Sequence, residues 1–341
     1  MKKVSVVILN WNGEAMLRQF LPSVVKYSSG EDIEVCVADN GSTDNSCEVI
    51  QTEFPRVRLI RLEKNYGFAD GYNHALQQVE AEYVVLLNSD VEVTEHWLEP
   101  MYTYLDAHPE VTACQPKLLS QKDKAYFEYA GAAGGYLDRY GYPFCRGRIF
   151  DTVEKDEGQY NDVHSILWAS GAALFIRLAD YREAGGLDGR FFAHMEEIDL
   201  CWRLRSRGRQ LVCVPQSKVY HVGAATLKKE NPRKTFLNFR NNLLMLYKNL
   251  PDKELNHVLR VRSILDYIAV AVFFLKKDTE NAKAILRARK EFEEIRYSFA
   301  AQRVENMMKS VDEPVNERTS FSILWKYHAL GKKRFSQLSL F

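Results

Sequence analysis

Apolar positions in the first third of the chain come in two alternating textures. Solid runs at 4–9 (VSVVIL), 33–38 (IEVCVA), 57–62, 83–87 (YVVLL) and 111–118 read as strands, and runs so rich in Val, Ile and Leu suit strands buried on both faces. Between them, 15–27, 44–54, 68–79 and 96–108 carry apolar residues at helical spacing, as Met16, Phe20, Leu21 and Val24 do. The βαβα order predicts an α/β fold, a parallel sheet with helices on both faces. Each strand run stops on polar residues: Asn10 and Asn12, Asp39 and Asn40, and Asn88-Ser89-Asp90. These are turn formers. They also sit where open α/β sheets bind ligands, at the carboxyl ends of strands.

The pattern weakens over 120–161, where Gly and Tyr crowd "YAGAAGGYLDRYGYP", and irregular strands with a long loop are expected. A buried strand is predicted at 168–176, interrupted at Ser170-Gly171, then a helix at 198–206 and a strand at 210–214. After Thr235 the chain reads as helical. Apolar stripes run through 236–250 and 258–275, and 279–309 is densely charged. The change from core to helical tail is placed near 225–234.

Composition narrows the function classes. Of 341 residues, 46% are hydrophobic and 27% charged, a globular balance, and the net charge of +1 gives no case for nucleic-acid binding over the whole surface. Six cysteines without a CxxC pair exclude a zinc or disulfide framework and fit small core residues in a reducing compartment. The N-terminal apolar run ends after Leu9 with no cleavage site, so it reads as a strand rather than a signal peptide. No apolar segment reaches the ~20 residues of a spanning helix. A cytoplasmic protein is expected. The segment 228–248 carries six basic residues (Lys228, Lys229, Arg233, Lys234, Arg240, Lys248) against Glu230, and 264–275 is apolar and ends in Lys276-Lys277. This combination fits a peripheral contact with the inner face of the plasma membrane. A packed helical tail with a solvated charged face explains the same residues.

Four stretches carry candidate chemistry. In "VCVADNGSTDNS", Ser42, Thr43 or Asp44 would cap the next helix, whereas Asp39 precedes the turn and sits at the strand tip. A carboxylate there can accept the imide N–H of a pyrimidine base, and Trp11 at the neighbouring tip could stack on it. "NYGFADGYNHAL" is a poor dinucleotide fingerprint and reads as a tight turn into a helix. Asp90 could bind a divalent cation bridging a diphosphate, with His221 of "VYHVGAAT" as a downstream partner; a lone His is otherwise a structural residue. In "FFAHMEEIDLCWRLRSRG", Glu196, Glu197 and Asp199 put three carboxylates at a helix start. Favourable interaction with the helix dipole explains them. A general base does so too, because Phe191, Phe192, Met195 and Ile198 supply an apolar setting that raises a carboxylate pKa. Residues 196 and 197 diverge by about 100° around a helix, so the three cannot all face one substrate.

These stretches, with "SVVILNWNG", "VVLLNSDVEV", "WASGAALFIR" and "FRNNLLMLYKN", occur in an order that resembles family-2 glycosyltransferases of the GT-A fold, in particular their rhamnosyltransferase-like and galactofuranosyltransferase-like bacterial branch. The resemblance spans residues 4 to about 248. It implies a mostly parallel Rossmann-like sheet flanked by helices, with a helical C-terminal extension. It divides the chain into a glycosyltransferase domain at 1–230, whose halves 1–118 and 119–230 bind the nucleotide-sugar and the acceptor, and a helical extension at 231–341. Asn88-Ser89-Asp90 stands at the DxD motif, with Asp90 matching the metal-binding aspartate and Asn88 replacing the first. Asp39 matches the base-recognising aspartate, Trp11 the aromatic beside the base, and Asn65 and Ser89 fall in donor-contacting segments. His221 matches a histidine that completes the metal site. Glu196-Glu197 stands at Glu-Asp, whose second member is the catalytic base, so Glu197 takes that role. Trp168, Gly171, Glu196 and Asp199 fall on the acceptor side. The implied reaction is inverting sugar transfer, rhamnose being the favoured sugar, from a nucleotide-diphosphate donor to a glycan or lipid-linked acceptor in cell-surface polysaccharide synthesis, assisted by Mg²⁺ or Mn²⁺. A nucleotidyltransferase and a non-catalytic sugar-nucleotide-binding module are the alternatives.

Overall fold

The computed structural model describes residues 1–223, 231–311 and 315–339. Lys228, Lys229, Glu230 and most of the expected boundary at 225–234 lie outside the described residues. Strand β1 (Lys2–Asn10) leads to α1 (Glu14–Tyr27), β2 (Ile33–Asp39), α2 (Ser46–Glu53), β3 (Arg58–Arg61), α3 (Gly67–Leu76) and β4 (Ala81–Asn88). The short β5 (Val91–Val93), α4 (Glu99–Ala107) and β6 (Val111–Ser120) follow. Strands β3-β2-β1-β4 are mutually parallel. Alternation along β1 serves both faces of the sheet. Val4, Val6 and Ile8 pack with Leu17 and Leu21 of α1, while Val7 joins Ala69 and Tyr72 of α3 on the other face.

The weakly patterned stretch forms a small antiparallel sheet, β7 (Gly135–Leu137), β8 (Pro143–Cys145), β9 (Arg148–Ile149) and β10 (Thr152–Val153). Then come β11 (His164–Ser165), β12 (Ala173–Arg177), α5 (Leu178–Glu183), α6 (Glu196–Ser206) and β13 (Gln210–His221). Strand β12 lies antiparallel between β4 and β6, and β13 runs parallel to β6. The expected parallel sheet is therefore present, with β5, β11 and β12 as antiparallel members. Two predicted strands shift. The one expected from 168 starts at Ala173, because Ser170 Oγ accepts from Ala172 N–H and makes a turn there. The one expected to end at 214 passes an irregularity between Val214 and Lys218 and continues to His221. That continuation pairs with β5, setting His221 opposite Val91.

Helices α7 (Pro232–Asn249), α8 (Asp252–Leu275), α9 (Thr279–Ile295) and α10 (Ala300–Lys309) complete the chain, with a final segment at 315–339. Leu243, Leu244, Met245 and Leu246 of α7 belong to the same buried cluster as α3 and α6, so the core runs straight across the expected division at 230/231. Phe321 and Phe335 of the final segment pack on Tyr136 and Phe144 of the small sheet. Asp138 joins them, accepting backbone N–H bonds from Tyr140, Tyr142 and Ile323. Burial outweighs those bonds and pushes its carboxyl up to about 6.

Candidate active site

The parallel strands deliver their polar ends to one edge. Register places Asn10 beside Asp39 and Leu9 beside Asn88. Buried Asp39 accepts from Asn10 Nδ2 at 3.2 Å and from Ser42 N–H at 3.0 Å. Two oxygens offer about four acceptor sites, so its orientation is fixed while capacity remains for a further donor. Trp11, one residue past the β1 tip, is 52% exposed. The chain between these tips is crowded. A Cβ on Gly13 would stand 2.3 Å from Asn10 Oδ1, and Ser89 Oγ, from the other tip, lies 4.0 Å away. Bare Gly13 therefore lets the Asp39 end and the Ser89-Asp90 end share one rim.

At the other side of that rim, Asp90 and His221 are both buried and meet at 3.1 Å between Oδ1 and Nε2. Asn88 Nδ2 lies 3.4 Å from the same imidazole nitrogen. On the far side of the ring, Glu128 Oε1 stands 3.4 Å from Nδ1. Burial alone would lower the His221 pKa; the Asp90 hydrogen bond and the Glu128 carboxylate outweigh it and raise it to about 10. Among the described residues no three such side chains form a ready-made metal cluster. Asp90 Oδ1 and His221 Nε2 would nevertheless supply one oxygen and one nitrogen to a hard divalent cation, the imidazole giving up its proton. Sequence reasoning missed Glu128, the only signal being a lone acid between Phe127 and Tyr129.

The start of α6 is built under strain. Phe192, His194 and Met195 all have positive φ, at 65°, 71° and 75°. Such backbone costs on the order of 1–3 kcal/mol per residue and persists only where neighbours impose it. Asn241 of α7 supplies the restraint. Its Nδ2 lies 2.9, 2.9 and 2.8 Å from the carbonyl oxygens of Phe191, Ala193 and His194. Arg240 adds a 3.2 Å bond to the Arg190 carbonyl. The first turn so positioned carries Glu196 and Glu197, each with a buried Oε2 that has no hydrogen-bond partner among the described residues. Burial raises both carboxyls above the ordinary glutamate range, and Glu197 pushes Glu196 further. Glu197 stands beside Gly171, where a Cβ would lie 3.8 Å from its own Cβ. The adjoining Ala172 carbonyl accepts from Asn88 N–H at 3.0 Å. Glu197 and the β4 tip thus flank the same 170–172 turn.

Asp199 is the opposite case. It is fully buried, accepting from Arg203 Nε at 3.0 Å, Lys248 Nζ at 2.8 Å and Asn249 Nδ2 at 2.8 Å. Burial would raise its carboxyl, but Lys248 and Arg203 win and hold it below the usual range. Expected on the acceptor side, Asp199 is instead the anchor between α6 and α7. Trp168 departs from its expected place as well. Its indole N–H donates to the Tyr136 carbonyl at 3.0 Å, and its ring fills the space above Gly135, where a Cβ would come within 2.0 Å. It braces the small sheet. Asn65 is exposed, with Oδ1 taken by Asn40 Nδ2 and Gly67 N–H. Asn241 and Asn249 were not singled out from the sequence, and Lys248 was read there as part of a basic surface segment rather than a buried partner of Asp199, although polar residues recurring within an apolar helix stripe were the available signal.

Chemically, the arrangement offers a fixed acceptor and an exposed aromatic ring at two tips, an oxygen and a nitrogen in contact on a third, and a buried carboxylate of raised pKa beside them. Residues 5–156 match the glycosyl transferase family 2 profile. Over 232 residues the chain is 26% identical to an N-acetylglucosaminyl-diphospho-decaprenol L-rhamnosyltransferase of Mycobacterium tuberculosis, covering 63% of this chain and 75% of that one. It superposes on residues 1–349 of S. aureus TarS in complex with UDP-GlcNAc with a TM-score of 0.57, at 15% identity and 89% coverage of each chain. A mannosyltransferase from Pyrobaculum calidifontis, in complex with GDP-Man and Mn²⁺, gives a TM-score of 0.52 at 14% identity, covering 90% of this chain and 84% of that one.

Proposed function

We propose that this chain, which matches the family-2 glycosyltransferase profile over residues 5–156 and is similar to a rhamnosyltransferase, is a family-2 glycosyltransferase of the rhamnosyltransferase-like branch that transfers a sugar, rhamnose in the first instance, from a nucleotide-diphosphate donor to a hydroxyl of a glycan or lipid-linked acceptor, with inversion. The carrying observation is the buried, raised Glu197 carboxylate, whose Oε2 finds no partner among the described residues, beside the turn that holds the β4 tip. Asp39 accepts a base N–H and Trp11 covers the base. Ser89 contacts the donor. Glu197 takes the acceptor proton as the hydroxyl oxygen attacks the anomeric carbon from the face opposite the leaving diphosphate, where a base of raised pKa is strongest. Gly171 leaves room for that acceptor, and Glu196 lines the same side. Asp90 and His221 would hold a divalent cation, Mg²⁺ or Mn²⁺, which when bound neutralises charge on the departing diphosphate. Donor recognition belongs to 1–118 and acceptor recognition to 119–230 together with α7.

Among the described residues no helix is long and apolar enough to cross a membrane. The proposal places the meeting with a lipid-linked acceptor in peripheral contact at the cytoplasmic face. The test is incubation with dTDP-rhamnose, UDP-sugars and GDP-sugars, with Mn²⁺ or Mg²⁺ and then with excess chelator. Nucleoside diphosphate release that stops in chelator supports the proposal, and the anomeric configuration of the product, read by NMR, decides inversion. Pyrophosphate formation from a nucleoside triphosphate would identify a nucleotidyltransferase instead, and binding without turnover a non-catalytic module.

A further inference from the structure

Helix α8 is amphipathic the wrong way round for a helix on a soluble surface. Its inward side buries charge. Arg262 and Asp266 are both buried and contact each other at 3.4 Å, and Arg289 of α9 reaches Asp266 at 2.7 Å. Arg262 also bonds the Tyr140 carbonyl at 3.0 Å and lies over the Tyr142 ring. Its outward side is apolar. Ile264, Tyr267, Ile268, Val272 and Leu275 are all exposed, Ile264 by 62% and Leu275 by 84%. At ~100° per residue these five fall within one face of the helix, opposite Arg262 and Asp266. Scattered exposed apolar residues need no explanation, whereas a contiguous stripe marks an interaction surface.

Charge selects the occupant. The stripe is bracketed by exposed Arg260 at one end and exposed Lys276 and Lys277 at the other. From 255 to 277 the one acid is Asp266, which is fully buried. Between 255 and 277 the apolar face thus has a cationic rim and no exposed acid, the nearest exposed ones being Asp252 and Glu280, and that stretch fits an anionic lipid surface. The apolar side chains enter the acyl boundary, Tyr267 sits at the headgroup level, and the rim cations meet lipid phosphates. We propose that the outward face of α8 is the surface by which this protein lies on anionic bilayers. The proposal rests on the peripheral-contact part of the function above, and it locates that contact on α8 rather than on the basic segment before it.

The experiment is co-sedimentation of the full chain with vesicles of phosphatidylcholine alone and of phosphatidylcholine with phosphatidylglycerol, alongside donor hydrolysis in solution. Wild type should partition onto the anionic vesicles only. Ile268→Glu with Val272→Glu should lose at least ~10-fold of that partitioning, and Lys276→Glu with Lys277→Glu should lose it in a salt-dependent way. Both pairs point to solvent, so circular dichroism and donor hydrolysis should stay at wild-type values. Loss of hydrolysis in wild type itself would strike the catalytic reading and leave the vesicle result intact. Equal binding by wild type and the Ile268→Glu, Val272→Glu variant would overturn the assignment to α8. So would failure of wild type to bind, with a dimer in sedimentation equilibrium that this variant dissolves; a second copy then covers the face.

Discussion

The strand-tip side and the α6 side of the candidate site hold their carboxylates by different means. Asp39 is fixed by Asn10 and Ser42, neighbours in the same layer of strand tips, and the sheet register alone brings them together. Glu196 and Glu197 depend on a left-handed segment held by α7, through contacts spanning 47 to 50 residues, and by the Phe68 N–H of α3, which donates to the Phe192 carbonyl at 3.0 Å. A sheet repeats its geometry from strand to strand, so a residue at a tip needs little further help. A helix start that must meet that sheet at a set angle has no such template. Here the angle is enforced by a polar clamp from Asn241 and a buried ion cluster around Asp199. The base side of the site should therefore be the more easily disordered of the two.

Breaking the chemistry without touching either support gives the largest effect. Glu197→Gln keeps the shape and removes the basicity, so kcat should fall by ~10²–10⁴ while donor affinity, read by calorimetry, stays unchanged. In wild type the acid limb of kcat should lie above the ordinary glutamate range, since burial raises Glu197; the limb belongs to the coupled Glu196–Glu197 pair. Breaking the ion cluster comes next. Asp199→Ala leaves Lys248 to Asp188 alone and removes the carboxylate facing buried Arg203, and losing one partner of such a cluster costs about 3–5 kcal/mol. Urea denaturation should show the loss. An Asp199→Ala protein as stable as wild type would remove the cluster from any account of how α6 is held.

Sharpening the comparison needs the clamp itself. Asn241→Ala leaves three carbonyls short of a donor and should cost about 1–3 kcal/mol of stability. It should lower kcat more than it raises the donor KM, because Asp39 and Trp11 are untouched. A drop confined to donor KM would show that the clamp serves the strand tips instead. The smallest effect lies far from both regions. Asp138 has its folded pKa raised to about 6, above its unfolded value, so its contribution is present below pH ~4 and lost as pH rises through 6. Asp138→Asn should flatten that part of the denaturation midpoint measured from pH 4 to 6.5.

The same contrast governs what the sequence revealed. Strand tips were legible because an apolar run that stops on Asn, Ser or Asp marks both the strand and its end. The first sheet strands, Asp39, Asp90 and Trp11 all came from that signal. Residues whose place depends on long-range pairing were not. Trp168 looked like a pocket residue until Gly135 gave its ring a seat. Asp199 looked like one acid among three until Lys248 and Asn249 came in from α7. Glu128 lies in the stretch where Gly and Tyr blur the period, and only the continuation of β13 brings His221 to it. Local spacing carries no information on such partners.

Strand β12 also decides the order in which this protein can come into being. It fills the slot between β4 and β6, both of which leave the ribosome earlier. Until Arg177 has emerged, two apolar strands in the middle of the sheet have no neighbour on the facing side, and open edges of this kind pair with whatever strand they meet. The nascent chain must then wait again for β13, and once more for α7, before the ion cluster around Asp199 can close. Closure by such distant segments is slow and leaves intermediates exposed. A fragment cut at 156, where the family match ends, would keep that vulnerable interval permanently, so the region that looks most self-contained by similarity is not a folding unit.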